Sequence, residues 1–434
     1  MKQYESYKPS GVEFIGDIPE HWEVEKLKYL VNINSRTLTE KTDKSYMLKY
    51  IDIRSVNYLG LIGQPEQMLF EKSPSRARRI VANGDVIIST VRTYLKAIAY
   101  LENVENNWIA STGFAVLESS RKIISPYLYA FVVSKYFIEQ VSFRSVGVTY
   151  PSINISDLGD IKLALPPLQE QEQIAKFLDT KNRQIEKFIK EKQHQIALLE
   201  EQKEAIINQA VTKGLDDSIE FKDSGIEWLG YIPIHWQYAK LKYITNQIVD
   251  GTHFTPKYQN IGIPFLRVTD LHNEKINLSK VKYISKEEHK ELTKRCNPEQ
   301  GDLLLSKNGT IGLTKIINWD FEFSIFVSLC LIKMNKNLIV PSFLEYEIKS
   351  KVFVQQLAEG GKITSITNLH LEMIREMISL LPPLNEQQEI VKHIKIETSR
   401  IDEVITQIQQ EIDLIKEYKI SLISEVVTGQ IDVR

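Results

Sequence analysis

Residues 11–30 read GVEFIGDIPEHWEVEKLKYL, and residues 225–244 read GIEWLGYIPIHWQYAKLKYI. Eleven of the twenty aligned positions are identical at a displacement of 214 residues, among them Pro19/Pro233, His21/His235, Trp22/Trp236 and Lys26-Leu27-Lys28-Tyr29/Lys240-Leu241-Lys242-Tyr243. Downstream, LALPPLQEQEQIAKFL from Leu163 returns as SLLPPLNEQQEIVKHI from Ser379, displaced by 216. Between them, GDVIIS at Gly84 echoes GDLLLS at Gly301, displaced by 217. Three matches in one order and at nearly one displacement mean that about half the chain is duplicated. The period is far too long for a solenoid, so it predicts two similar domains, each followed by the same connector.

The connectors read as long helices. Pro166-Pro167 and Pro382-Pro383 disfavour helix before them and suit a helix start just after. Residues 168–213 and 384–428 contain no Gly or Pro and are rich in Glu, Gln, Lys, Ile and Leu. At ~1.5 Å per residue each helix runs roughly 65–70 Å, too long for a compact domain, so the two should pack lengthwise.

Their apolar residues form a heptad seam. In the first helix Leu178, Ile185, Leu199 and Ile206 fall on one seven-residue row, with Ile189, Ile196 and Ala210 on the adjacent row. In the second, Ile394, Ile401, Ile408, Ile415 and Leu422 form one row and Ile405, Ile412 and Val426 the other. A seam sustained in this way needs a partner helix. Lys203 and Lys419 interrupt the same row, and polar seam residues fix register at a cost in stability. The nearest partner is the other helix of the same chain. Gly214 after the first helix favours an antiparallel pair and an approximate twofold axis. Two separate homodimerisation coils are the alternative.

The blocks between the helices mix strands with short helices. Val86-Ile87-Ile88 and Leu303-Leu304-Leu305 follow Gly turns and are apolar throughout, as buried strands are. Tyr50-Ile51-Asp52-Ile53 and Pro264-Phe265-Leu266-Arg267-Val268 have the same character, whereas residues 127–139 and 342–358 have helical spacing. The expected class is therefore α+β. The segments expected are a leader at 1–24, a first domain at 25–162, a central helix region at 163–215, a repeated leader at 216–239, a second domain at 240–378 and a distal helix region at 379–434.

The formal charge of −2 is unusual for a nucleic-acid binder. It conceals a pattern, because residues 26–165 hold 18 Lys/Arg against 12 Asp/Glu and residues 240–380 hold 19 against 15. Two blocks of positive charge suit two phosphate-facing surfaces. Cys296 and Cys330 are the only cysteines and have no metal-ligand spacing. No apolar stretch reaches the ~18 residues of a membrane span, and residues 1–10 lack a signal-peptide core. A cytoplasmic protein without membrane attachment is expected.

The LPPLxEQxxI start of a long helix, used twice, with GxExxGxIPxHW before the second domain, resembles the type I restriction–modification DNA specificity subunits. The resemblance spans leaders, helices and the GD strands of both blocks. It implies two target-recognition domains, each reading one half of a split site in double-stranded DNA. It implies helices that act as spacer and as docking surface for two modification methyltransferase subunits. It also implies restriction/translocase subunits as further partners, with S-adenosylmethionine, ATP and Mg used by the partners and no cofactor in this chain.

Base readout uses Arg, Lys, Asn, Thr and aromatic tips on loops held by a rigid sheet. In the first block the candidates are Arg54, Arg76, Arg78, Arg79, Arg92, Tyr94, Arg144 and Thr149. Arg76, Arg78 and Arg79 are the densest basic cluster, and Val91-Arg92-Thr93-Tyr94 leaves the Gly84 strand. In the second block they are Thr252 and His253 of the turn-rich DGTHFTP segment, Arg267, Lys307, Asn308, Thr310, Lys362 and Thr364. Lys307-Asn308-Gly309-Thr310 leaves the Gly301 strand at the place equivalent to residues 90–93. His21 and His235 read as packing residues that fasten the leaders rather than as catalysts.

Catalytic signatures are missing. No NPPF-like or DPPY-like tetrad, no GxGxxG after a strand and no HExxH occurs, and Gln356 and Ile363 break the phosphate-loop pattern around Gly361-Lys362. A non-catalytic reader is expected. Two other classes remain open on the residues alone: a coiled-coil scaffold that binds proteins, and a self-contained DNA-modifying enzyme with its own recognition domains.

Overall fold

The computed structural model describes residues 2–57, 60–61, 63–272, 275–359 and 368–434. It divides into two units, residues 1–193 with 409–434, and residues 194–408. The division falls inside both long helices rather than at the ends of the globular blocks.

In the first unit the globular domain has three layers. The central antiparallel sheet runs in the order Ile98–Tyr100, Val86–Ser89, Phe114–Ser119, Val31–Ile33. A second sheet, ordered Glu66–Leu69, Met47–Ile51, Trp108–Ser111, Ala77–Ile80, lies on one face, and its two middle strands are parallel. Helices Ser125–Val132 and Lys135–Arg144 cover the other face. The unbroken apolar run of the Gly84 strand follows from this layering. Val86 and Ile88 point into the helix-side core while Ile87 points into the core between the sheets. Both faces are dry, so no polar alternation survives.

The second unit repeats the plan. Its antiparallel sheet is ordered Thr245–Asp250, Leu329–Met334, Leu303–Ser306, Thr314–Ile316. A three-stranded sheet of Lys282–Ile284, Ile263–Leu266 and Ser324–Ile325 lies against it, again with one parallel pair. Leu303 and Leu305 enter one core and Leu304 the other.

The GD motif sets the start of each central strand. Gly84 has φ +86° and Gly301 φ +90°, a left-handed conformation open to glycine. Asp85 accepts the Ala82 N–H at 2.7 Å and Asp302 the Glu299 N–H at 2.9 Å, tying each turn to its strand. Arg36 lies 2.5 Å from Asp85, and Lys333 lies 2.7 Å from Asp302.

The helical stretches expected at 127–139 and 342–358 are each split in two. Ser134 ends the first helix and caps the next by accepting the Phe137 N–H at 3.3 Å. Ser350 separates Pro341–Lys349 from Lys351–Glu359. A serine oxygen that competes for backbone N–H groups interrupts what apolar spacing alone reads as continuous.

The connectors are single helices, Leu168–Lys213 and Leu384–Val427. Leu178, Ile185, Ile401, Ile408, Ile412 and Leu422 are buried, and Ile189, Ile196, Leu199, Ile206, Ile405 and Ile415 are part-buried. In the first unit Glu186 meets Lys419 at 3.2 Å and Lys192 meets Glu411 at 2.7 Å. In the second, Lys203 meets Asp402 at 2.5 Å, while Ile207 and Val211 share a core with Ile390 and Ile394. Rising numbers on one helix face falling numbers on the other, so the pair is antiparallel and intramolecular in each unit. No helix among the described residues is long and apolar enough to cross a membrane.

Candidate DNA-recognition surfaces

Each domain is fastened to its helix by the Glu-Gln of LPPLxEQ. Gln171, fully buried, donates to the carbonyls of Lys122 (3.0 Å) and Pro166 (2.9 Å) and accepts the Ile124 N–H at 2.9 Å. Gln387 makes the same three bonds, to Leu338 (3.0 Å), Pro382 (2.9 Å) and the Val340 N–H (2.7 Å). Glu170 accepts from Tyr4 Oη at 2.6 Å and pairs with His21 at 2.7 Å. Glu386 pairs with His235 at 2.8 Å and accepts from Trp236 Nε1 at 3.0 Å. Both histidines therefore hold leaders in place, as their sequence context indicates. Trp22 and Trp236 are fully buried beside them.

Above this frame the first domain places its candidates in two groups. Arg54 and Arg76 converge on Asp52, at 3.5 and 3.3 Å, and Arg76 also donates to Tyr50 Oη at 3.1 Å. Both guanidinium groups remain largely exposed. Arg78 and Arg79, neighbours in sequence, part company on the Ala77–Ile80 strand because successive side chains leave opposite faces. Arg78 lies 4.9 Å from the Phe70 ring, and Arg79 donates to Thr37 Oγ1 at 3.1 Å. Burial lowers the Arg79 pKa from its usual value. The second group is Arg92, Tyr94, Arg144 and Thr149. Residues 92–96 form a 3₁₀ turn and residues 145–152 a loop, joined by Thr93 Oγ1 to Ser145 Oγ at 2.9 Å and by the Thr93 N–H to the Pro151 carbonyl at 3.3 Å.

In the second domain the DGTH segment is a latch around a buried carboxylate. Asp250 is 2% exposed; Lys307 Nζ lies 2.9 Å away and His253 Nε2 3.1 Å, and Arg295 donates to the same group. Burial opposes ionisation of Asp250, but Lys307, Arg295 and His253 outweigh it and leave its pKa below the usual carboxylate value. A Cβ on Gly251 would stand 2.0 Å from the Ile325 carbonyl oxygen, so glycine is required there. Thr252 is buried, with its N–H on the Ile325 carbonyl at 3.1 Å. Lys307 is likewise buried, and its chain anchors Leu369, whose N–H reaches the Lys307 carbonyl at 2.7 Å. The two residues shape the surface from beneath. His253 and Thr310 are exposed, Asn308 and Arg267 part-buried, and Arg267 is held by Asp270 at 3.5 Å. Lys362 and Thr364 lie outside the described residues.

Arg295 is the functional candidate that sequence reasoning passed over. It sits in a helix-end stretch, KRCNP, with no local signal linking it to Asp250. Cys296 beside it is buried, with its thiol pKa pushed up to about 12 by burial, and no disulfide joins it to Cys330. Among the described residues no cluster of three metal-ligating side chains occurs.

A sequence profile described as the type I restriction modification DNA specificity domain matches twice, over residues 19–197 and 233–414. The putative type I restriction enzyme MjaX specificity subunit of Methanocaldococcus jannaschii is 29% identical, over 97% of this chain and 96% of that protein. Among solved structures, a chain from work on assembly and conformational transition of the type I R-M system superposes with a TM-score of 0.72. It is 19% identical, and the match covers 95% of this chain and 99% of that one. The HsdS subunit of Thermoanaerobacter tengcongensis gives a TM-score of 0.52 at 20% identity, covering 95% and 98%. With two matching domains spread over most of its length, this chain belongs to the type I restriction–modification DNA specificity subunit family.

Proposed function

We propose that residues 25–162 and 240–378 each read one half of a bipartite site in double-stranded DNA, and that the two long helices set the spacing between the halves. One observation carries this reading. The frame is duplicated, with the same three hydrogen bonds at Gln171 and Gln387 and a His–Glu pair at both Glu170 and Glu386, whereas the loops that leave the matched central strands differ, TVR at residues 90–92 against KNG at 307–309. Phosphate and framework contacts carry no sequence information, but base-reading side chains must change when the half-site changes. Arg54, Arg76, Arg92, Tyr94, Arg144 and Thr149 are the proposed reading and phosphate-contacting residues of the first half, with Arg78 and Arg79 beside them. His253, Arg267, Asn308 and Thr310 serve the second half, supported by Thr252 and Lys307. Lys362 and Thr364 are assigned to it on sequence alone.

In this reading the chain works in the cytoplasm, bringing no catalytic group of its own. Two modification methyltransferase subunits dock on the helices and methylate adenine with S-adenosylmethionine, and restriction/translocase subunits use ATP and Mg. Support comes from family membership and from exposed apolar residues on the helices outside the seam, such as Leu198 and Leu414. Sequencing methylated adenines in cells with and without this chain tests the reading. One split motif should vanish without it, and exchange of residues 26–165 for those of another family member should change one half of that motif. A change in both halves contradicts it.

A further inference from the structure

The joined loops of the first domain carry an apolar tip that a surface without a partner has no use for. Val148 is fully exposed, and Phe143, Val146, Tyr150 and Tyr94 are each more than half exposed. Contiguous exposed apolar side chains of this kind mark an interaction site. The base of the tip is rigid. Val91 and Val146 both bridge to Ser152, the Ile153 N–H reaches the Thr90 carbonyl at 2.9 Å, and Thr93 holds Ser145 at 2.9 Å. The adjoining turn is strained, since Arg92 and Lys96 hold φ of +52° and +50° with neither being glycine. Such strain persists only where the surrounding structure over-determines it, and it clusters at functional sites.

Cations surround the tip. Arg92 stacks 4.9 Å from the Tyr150 ring, Lys96 is exposed, and Arg144 is held by the Gln140 carbonyl at 3.3 Å. Among the described residues none of the three has a carboxylate within ion-pair distance. An apolar tip ringed by unpaired cations complements a groove in duplex DNA, where thymine methyl groups and opened base steps offer apolar contact and the rims are anionic. A protein docked on both halves would require the same tip twice. At the repeat displacement of 216 the corresponding stretch of the second domain, residues 359–367, reads EGGKITSIT and has no aromatic residue.

We infer that residues 143–151, with Val148 at the apex, enter a groove of the first half-site and read it by apolar contact with the bases, while Arg92, Lys96 and Arg144 grip the flanking phosphates. This rests on the DNA-reading function proposed above and adds the means of reading. The test uses the full chain in complex with its modification subunits and duplexes bearing the cognate motif or a shuffled one, across a range of salt. Val148→Ser should weaken cognate binding about tenfold and leave the salt dependence unchanged, because no counterion is released at an apolar contact. Relaxed preference should be confined to the first half of the motif, and thermal unfolding should not move, since the side chain touches solvent alone. Arg92→Gln should lower the slope of log affinity against log salt by about one. Equal losses on cognate and shuffled DNA, unchanged cognate affinity, or loss of complex assembly with DNA preference intact would each overturn the inference. If the unsubstituted complex itself shows no sequence preference, the DNA-reading function fails rather than the tip's part in it.

Discussion

Lys419, which interrupts the apolar seam of the second long helix, places its Nζ 3.2 Å from Glu186 of the first. Lys203, its counterpart in the duplicated half, reaches Asp402 at 2.5 Å. Both lysines bury their stems in the seam and carry their charge across to the facing helix, which is how a polar seam residue selects one register. Their partners are more than half exposed, so each pair is worth at most ~1 kcal/mol.

Lys419→Leu should therefore leave stability unchanged or raise it by about 1 kcal/mol, because apolar burial replaces a screened ion pair. Chemical unfolding measures it. A loss of that size would mean that the pair contributes stability rather than register.

Gln387→Leu should be costly. It strands the Val340 N–H and the carbonyls of Leu338 and Pro382 in a dry site, at a combined ~2–4 kcal/mol for groups left without partners. Hydrogen exchange should show the loss in residues 338–348 first. Protection unchanged there would contradict the role assigned to this glutamine.

Much of this frame is legible in the sequence, because it is written in period and repetition. The heptad rows, the double proline before each helix, and the matched GD strands are local patterns with one physical meaning each. The sites are less legible. Lys307 reads as an exposed basic residue after a strand, yet it is buried against Asp250, 57 positions earlier in the chain. Arg295 joins the same carboxylate from a third segment. Such convergence depends on sheet pairing, including one parallel pair per domain, which hydrophobic pattern does not specify. Arg78 and Arg79 show the converse: adjacency in sequence disguises opposite faces of one strand.

Glu347 supplies a pH dependence confined to the second unit. It is buried, accepts the Leu380 N–H at 2.7 Å and the Ser379 hydroxyl, and burial pushes its pKa up to about 8 from 4.5. A group whose folded pKa is raised contributes stability fully below its unfolded pKa and loses it as pH rises through the folded one. Stability of the second unit should thus fall between about pH 4.5 and 8, at up to ~1.4 kcal/mol per pH unit. Glu347→Gln should flatten that decline in unfolding measured against pH. An identical slope in the variant would assign the dependence elsewhere.

The buried pair Asp250–Lys307 should behave as a unit. Lys307→Met alone leaves a dry carboxylate with fewer partners and should destabilise the second unit by ~3–5 kcal/mol, whereas Asp250→Asn with Lys307→Met should recover part of the loss. Binding to duplexes altered in either half should show discrimination falling in the second half alone. Additive losses in the double variant would argue against coupling.

The spacer role is tested most directly by lengthening both helices. One heptad added at matched seam positions extends each by about 10 Å, roughly three base pairs of duplex. Sequencing methylated adenines in cells carrying the lengthened chain should show both half-motifs intact and the gap between them widened by about that amount. The same two half-motifs at an unchanged gap would contradict the account.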